Sequence, residues 1–162
     1  MCRYASSNYK PRYACFRCRK AFRRRHKSEV DPSGAEHPAR CPDCGLLMAD
    51  IGRDFRPPSK SDRKGWTTAE ALWEVGETFH SCGCSGPGYR PRDPAALDAF
   101  FRARLHEYRA NLRAFVGGSS KTANADDAIV TWRDRIRRLE AALAQAQPDR
   151  GRRSTARASR AR

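Results

Sequence analysis

The sequence predicts an α+β chain: a small N-terminal β ribbon, then a C-terminal antiparallel helical hairpin, then a disordered basic tail. Three observations carry this. Cys15-Phe16-Arg17-Cys18 and Cys41-Pro42-Asp43-Cys44 are two matched Cys-x-x-Cys pairs. Beyond Asp93, apolar residues recur every three or four positions over two stretches. From Gln147 to Arg162 there are six arginines and no apolar residue larger than alanine.

Each cysteine pair spaces its thiols so that a tight backbone turn aims both sulfurs at one point. Two such turns complete a tetrahedron of thiolates, the donor set of a structural zinc ribbon. Cys15, Cys18, Cys41 and Cys44 are therefore the expected ligands of one Zn²⁺, and Gly45 suits a turn that needs positive φ. The ribbon is assigned to residues 1–52. Arg12–Cys15 reads as the strand into the first turn and Lys20–Arg23 as the strand out of it. Residues 28–38 are rich in turn formers and read as the hairpin tip. Leu46–Ile51 reads as a strand leaving the second turn, with a bend at Gly52. Disulfides are the alternative for the cysteines. They need an oxidising compartment, and Met1-Cys2-Arg3-Tyr4 opens no apolar signal segment, so a cytoplasmic setting is expected.

Residues 53–92 read as a basic arm, a short helix and a Cys/Gly loop packed on the ribbon. Pro57-Pro58 excludes helix from the arm. Thr67 and Glu70 have capping-box spacing, and Gly76 makes a stop. Glu77–His80 reads as a strand able to join the ribbon sheet. Residues 93–146 are the hairpin. Asp93-Pro94 supplies an N-cap and a first-turn proline, and Leu97, Phe101, Leu105, Tyr108, Leu112 and Phe115 form one stripe. Ile129, Trp132, Ile136, Leu139 and Leu143 form a second stripe on a helix over 125–146. A homodimeric coiled coil through these helices is the rival arrangement. Residues 147–162 cannot bury enough surface to order alone and read as the tail.

Formal net charge is +15 in 162 residues, which favours a polyanionic partner. No apolar run reaches membrane-spanning length. From Lys10 to Lys27 there are nine cations and no acid. Arg12, Arg17, Arg19, Lys20, Arg23, Arg24, Arg25 and Lys27, with Arg53 and Arg56 of the arm, are the candidate phosphate contacts. Tyr13, Phe16 and Phe22 lie among them and read as ribbon core more readily than as base-stacking platforms.

A second cluster, Phe79-His80-Ser81-Cys82-Gly83-Cys84-Ser85-Gly86-Pro87-Gly88-Tyr89, leaves three readings open. Cys2, His80, Cys82 and Cys84 can supply a second zinc site. Cys82 and Cys84 can form a redox pair, though one intervening residue strains a disulfide. Small buried residues in a tight loop are the default.

With these residues in view, the string Cys-x-x-Cys…Cys-Pro-x-Cys-Gly resembles the zinc-ribbon class found in ribosomal, transcription and RNA-modifying proteins. Met-Cys-Arg-Tyr-Ala, Tyr13–Lys20 and Phe79–Tyr89 add a similarity to a set of small uncharacterised bacterial zinc-ribbon proteins, over roughly residues 1–92. The resemblance implies a fold and a metal and no reaction. Walker, dinucleotide-glycine, Gly-x-Ser-x-Gly and His-x-Glu deaminase signatures are all lacking. The expectation is a non-enzymatic nucleic-acid binder, with RNA or the ribosome as favoured partner. A protein–protein adaptor is the alternative, and an enzyme using the His80–Cys84 loop is a third.

Overall fold

The computed structural model describes residues 10–24, 38–81, 86–117 and 125–146. The expected tail, residue Cys2 and the pair Cys82 and Cys84 lie outside the described residues, as do Arg25 and Lys27. The described chain divides into two compact units, one running to residue 73 with 77–94, the other of 74–76 with 95 onward. The expected α+β architecture is observed.

In the first unit, β1 (Arg12–Cys15) and β2 (Lys20–Arg23) form the expected hairpin across the first cysteine turn. β3 (Ala49–Asp50) pairs antiparallel on the other side of β1, giving the order β2-β1-β3. The period-2 alternation of β1 sorts its side chains onto two faces. Tyr13 and Cys15 turn to one cluster with Cys41, Met48 and Phe22. Ala14 turns to the other, with Ile51, Phe55, Trp66 and Ala69. The sulfur site thus forms one face of the sheet and an apolar core the other.

Helix α1 spans Arg63–Glu74. It starts four residues before the expected capping box at Thr67, because Asp62 caps it: the Gly65 N–H donates to Asp62 Oδ1 at 2.9 Å. Trp66, Ala69 and Leu72 then recur every third residue and are buried. Trp66 meets Phe16 and Phe55 edge-on, at 6.4 and 6.0 Å between ring centroids, and its indole N–H reaches the Ser59 carbonyl. Gly76 ends this region at φ 83°, as expected of a C-terminal stop.

Two expected strands are corrected. Only Ala49–Asp50 of Leu46–Ile51 is strand; nearer the turn, a single bridge joins Leu47 to Arg40. Glu77–His80 forms no strand. It bonds the chain just past β3, from Phe79 N–H to the Ile51 carbonyl at 2.7 Å, while Asp54 N–H donates to the Phe79 carbonyl at 3.2 Å. Gly52 lets the backbone pass at this crossing. Its φ is +100°, and a Cβ there would lie 2.3 Å from the Phe79 carbonyl carbon. Glu77, 2% exposed, is paired with Arg90 at 2.9 Å.

In the second unit, a 3-10 turn over Pro94–Ala96 replaces the expected cap at Asp93-Pro94, and α2 proper is Leu97–Val116. Gly117 closes it by donating to the Arg113 carbonyl at 2.8 Å. Helix α3 is Ala125–Ala146. The two helices form the expected hairpin. Tyr108 lies 5.0 Å from Trp132, Arg135 covers both rings, and Arg109 pairs with Glu140. Leu139 and Leu143 are buried in the second stripe.

Candidate metal centre

The two cysteine turns converge. The four sulfurs of Cys15, Cys18, Cys41 and Cys44 lie within 4.8 Å of one another, and Cys15 Sγ is 3.6 Å from Cys44 Sγ. A tetrahedron with sulfur about 2.3 Å from its centre puts its corners roughly 3.8 Å apart, so the cluster fits a zinc ion. Cys15 and Cys41 are 2% exposed, while Cys18 and Cys44 are half-buried. Four thiolates would fill a tetrahedral shell, so an ion held there would substitute for missing core and keep no open position for a substrate.

Local backbone geometry builds both turns. In the second, Gly45 at φ 72° donates its N–H to the Cys41 carbonyl at 2.8 Å, the positive φ expected of that residue. In the first, Arg19 takes the same place after the last cysteine and adopts φ 51°. Its N–H donates to the Phe16 carbonyl at 3.2 Å.

The thiols differ electrostatically. Burial raises Cys15 above its ordinary value, against one backbone N–H from Cys18. Cys18 is pushed up to about 12, first by its hydrogen bond with Cys44 and then by burial. At Cys41 burial acts upward, but the N–H groups of Asp43 and Cys44 reverse it and bring the thiol down to about 7. Metal binding must therefore expel protons from this cluster, and affinity falls on acidification.

The candidate cations are placed unequally. Arg17, Arg23 and Arg56 are exposed. Lys20 pairs with Asp43 at 2.5 Å, tying the strand after the first turn to the second turn; this pair raises the lysine's pKa. Arg19 Nε donates to the Lys60 carbonyl, Arg24 to the Arg40 carbonyl and Arg12 to the Phe55 carbonyl, at 2.9, 2.7 and 2.8 Å. Arg53 lies beside Asp54. Tyr13, Phe16 and Phe22 pack against the two clusters, as read from the sequence. His80, the described member of the second candidate ligand set, uses both ring nitrogens within the fold: Nδ1 on Thr78 at 3.0 Å and Nε2 on Asp50 at 3.1 Å. Sequence reasoning missed Asp43. It sits inside the second cysteine pair, and nothing in the sequence matches it to Lys20, which only the meeting of the two turns brings beside it.

Among the described residues, no helix is long and apolar enough to cross a membrane. No protein-family model, curated protein or solved structure matches the chain.

Proposed function

We propose that this is a zinc-ribbon nucleic-acid-binding protein without catalytic activity, with single-stranded RNA or the ribosome as its partner. The observation that carries the reading is the surface of the β1–β2 hairpin. Its aromatic residues turn inward, leaving Arg17 and Arg23 exposed beside Arg19, Lys20 and Arg24 on a backbone that the metal would fix. A rigid cationic turn suits phosphate contact. RNA is favoured over duplex DNA because the described residues of the ribbon hold no helix to enter a major groove, and α2 and α3 spend one face on each other. The resemblance to ribosomal and RNA-modifying zinc ribbons supports the same partner class.

The test is the affinity for a single-stranded RNA as salt is raised. With about four phosphates neutralised, log Kd should change with log salt at a slope near 3 in magnitude, at roughly 0.7 per contact. Arg17→Gln with Arg23→Gln should lower the slope by about 1.4. A flat salt response would overturn the reading.

A second reading, a protein–protein adaptor, has one observation behind it. Leu46 and Leu47 beside the second cysteine turn are 46% and 64% exposed. A partner captured after complete nuclease digestion, and lost on Leu47→Ser, would favour it over nucleic acid.

A further inference from the structure

Strand β1 begins with Arg12, and the register sets it directly opposite Arg23 of β2. Opposed like charges weaken a strand pair, and the sheet gains nothing from this one. Lys10 and Arg53 join the two arginines, together with Asp54, around a surface cavity of about 320 Å³. Four cations thus share the cavity with one carboxylate. Asp54 is already engaged, accepting a hydrogen bond from Ser81 and lying 3.7 Å from Arg53 Nε. Arg53's side chain is only 13% exposed. Arg12 is held in place through its bond to the Phe55 carbonyl, and its pKa is lowered first by burial and then by Arg23, with Asp54 acting the other way. Partly desolvated like charges around a concavity repel each other until an anion enters.

We propose that Lys10, Arg12, Arg23 and Arg53 form a binding pocket for a single phosphoryl group. Its lining is charged throughout, with no aromatic or apolar side chain to hold a base, which suits one phosphate rather than a whole nucleotide. Guanidinium forks match phosphate oxygens in pairs, and two arginines facing each other can grip one group from both sides. The pocket lies at the opposite end of β1 from Cys15, about 10 Å along the strand, so it is distinct from the metal centre. The inference deepens the nucleic-acid reading and rests on it only for the source of the phosphoryl group: a nucleic-acid strand rather than free phosphate.

Inorganic phosphate titrated into the full chain at constant ionic strength, with chloride as reference, should move the amide resonances of these four residues saturably. The double variant Lys10→Gln/Arg23→Gln should weaken that binding about tenfold, since charge-assisted hydrogen bonds are lost. The charge-matched Arg113→Gln/Arg133→Gln should not. An unchanged metal stoichiometry in the first variant separates this loss from failure to fold. Wild-type protein that shows no saturable shift with phosphate, or equal weakening by both variants, would overturn the pocket. RNAs with and without a 5′-phosphate locate the source: a variant-sensitive preference for the phosphorylated strand assigns the terminal group, and equal variant-sensitive binding assigns an internal phosphodiester. RNA binding that persists without any phosphate response sinks the pocket alone. Saturable phosphate binding with no RNA affinity keeps the pocket and sinks the nucleic-acid reading.

Discussion

The two cysteine turns have the same spacing, yet they are built differently: the residue after the last cysteine bonds back to the Cys41 carbonyl in the second and to the Phe16 carbonyl in the first. The second places Gly45 at the positive-φ position and gives Cys41 two backbone N–H donors. The first places Arg19 there and gives Cys15 one. A non-glycine residue in the left-handed region costs about 1 kcal/mol or more. The second turn is thus relaxed and lowers its buried thiol, whereas the first carries strain and leaves its buried thiol raised. What the strained turn gains is a cation held rigidly at the surface, Arg19, fixed on the Lys60 carbonyl. The comparison teaches that equal cysteine spacing does not make equal turns: one is relaxed at its glycine, and the other accepts strain and fixes a cation at the surface.

Loss of the metal is the largest expected effect and tests the comparison first. Structural zinc in small ribbons contributes on the order of 10 kcal/mol to folding. Chelation, or Cys→Ser at any of the four positions, should collapse the dispersed amide resonances of β1, β2 and β3. The inequality between the turns adds a finer expectation. Cys41→Ser, which leaves two aimed N–H groups without their thiolate, should lower metal affinity about tenfold more than Cys15→Ser. Competition against a chromogenic chelator reads this directly, and equal losses would make the turns interchangeable.

Exchanging the residues at the positive-φ positions comes next. Gly45→Ala meets no atom within 4 Å, so its cost is backbone strain alone, about 1 to 2 kcal/mol. Arg19→Gly relieves strain of that size and forfeits one hydrogen bond, so stability should change by less than about 1 kcal/mol. RNA affinity should nevertheless fall, because a fixed cation is gone. Denaturant unfolding and RNA titration on the same variants check both halves. A large stability loss in Arg19→Gly with RNA affinity unchanged would make Arg19 a structural residue only.

Much of this was legible before the fold was known, for physical reasons that also mark where legibility ends. Metal ligation demands fixed spacing, so Cys15, Cys18, Cys41 and Cys44 announce their site, and Gly45 its turn. Short strands flanking such a turn follow, and Arg12–Cys15 and Lys20–Arg23 are observed with those bounds. The helical stripes announce α2 and α3 through their period. The N-terminus of α1 was misread because Thr67 and Glu70 satisfy a local capping pattern, while the pull that decides the matter is tertiary: Trp66 must reach Phe16 and Phe55, which moves the start back to Asp62. The Phe79 segment was misread because alternation cannot distinguish a strand from an extended chain that bonds just past the sheet at one residue. Neither the opposition of Arg12 and Arg23 nor the pairing of Lys20 with Asp43 can be seen without register, since each joins residues that only folding makes neighbours.

The smallest effects concern two exposed ion pairs, and they show what fastens each side of the ribbon. Lys20–Asp43 joins the turns directly, but both side chains are about 40% exposed. Asp43→Asn should therefore cost no more than about 1 kcal/mol, and less in high salt. A larger loss would mean that the turns depend on each other beyond the shared metal. His80–Asp50 fastens the Phe79 segment to β3 instead, and it alone of the two titrates near neutrality. The hydrogen bond from His80 to Asp50 raises the histidine's pKa above its ordinary value, against a smaller opposing effect of burial. The pair's contribution is thus fully present below the unfolded-state value of about 6.5, and it is lost as pH rises through the raised folded-state value. Wild-type stability should decline slightly over that window relative to His80→Gln, whose difference from wild type should vanish at higher pH. If the two proteins lose stability in parallel, the imidazole does not fasten the segment, and the backbone bonds of Phe79 with Ile51 and Asp54 hold it there.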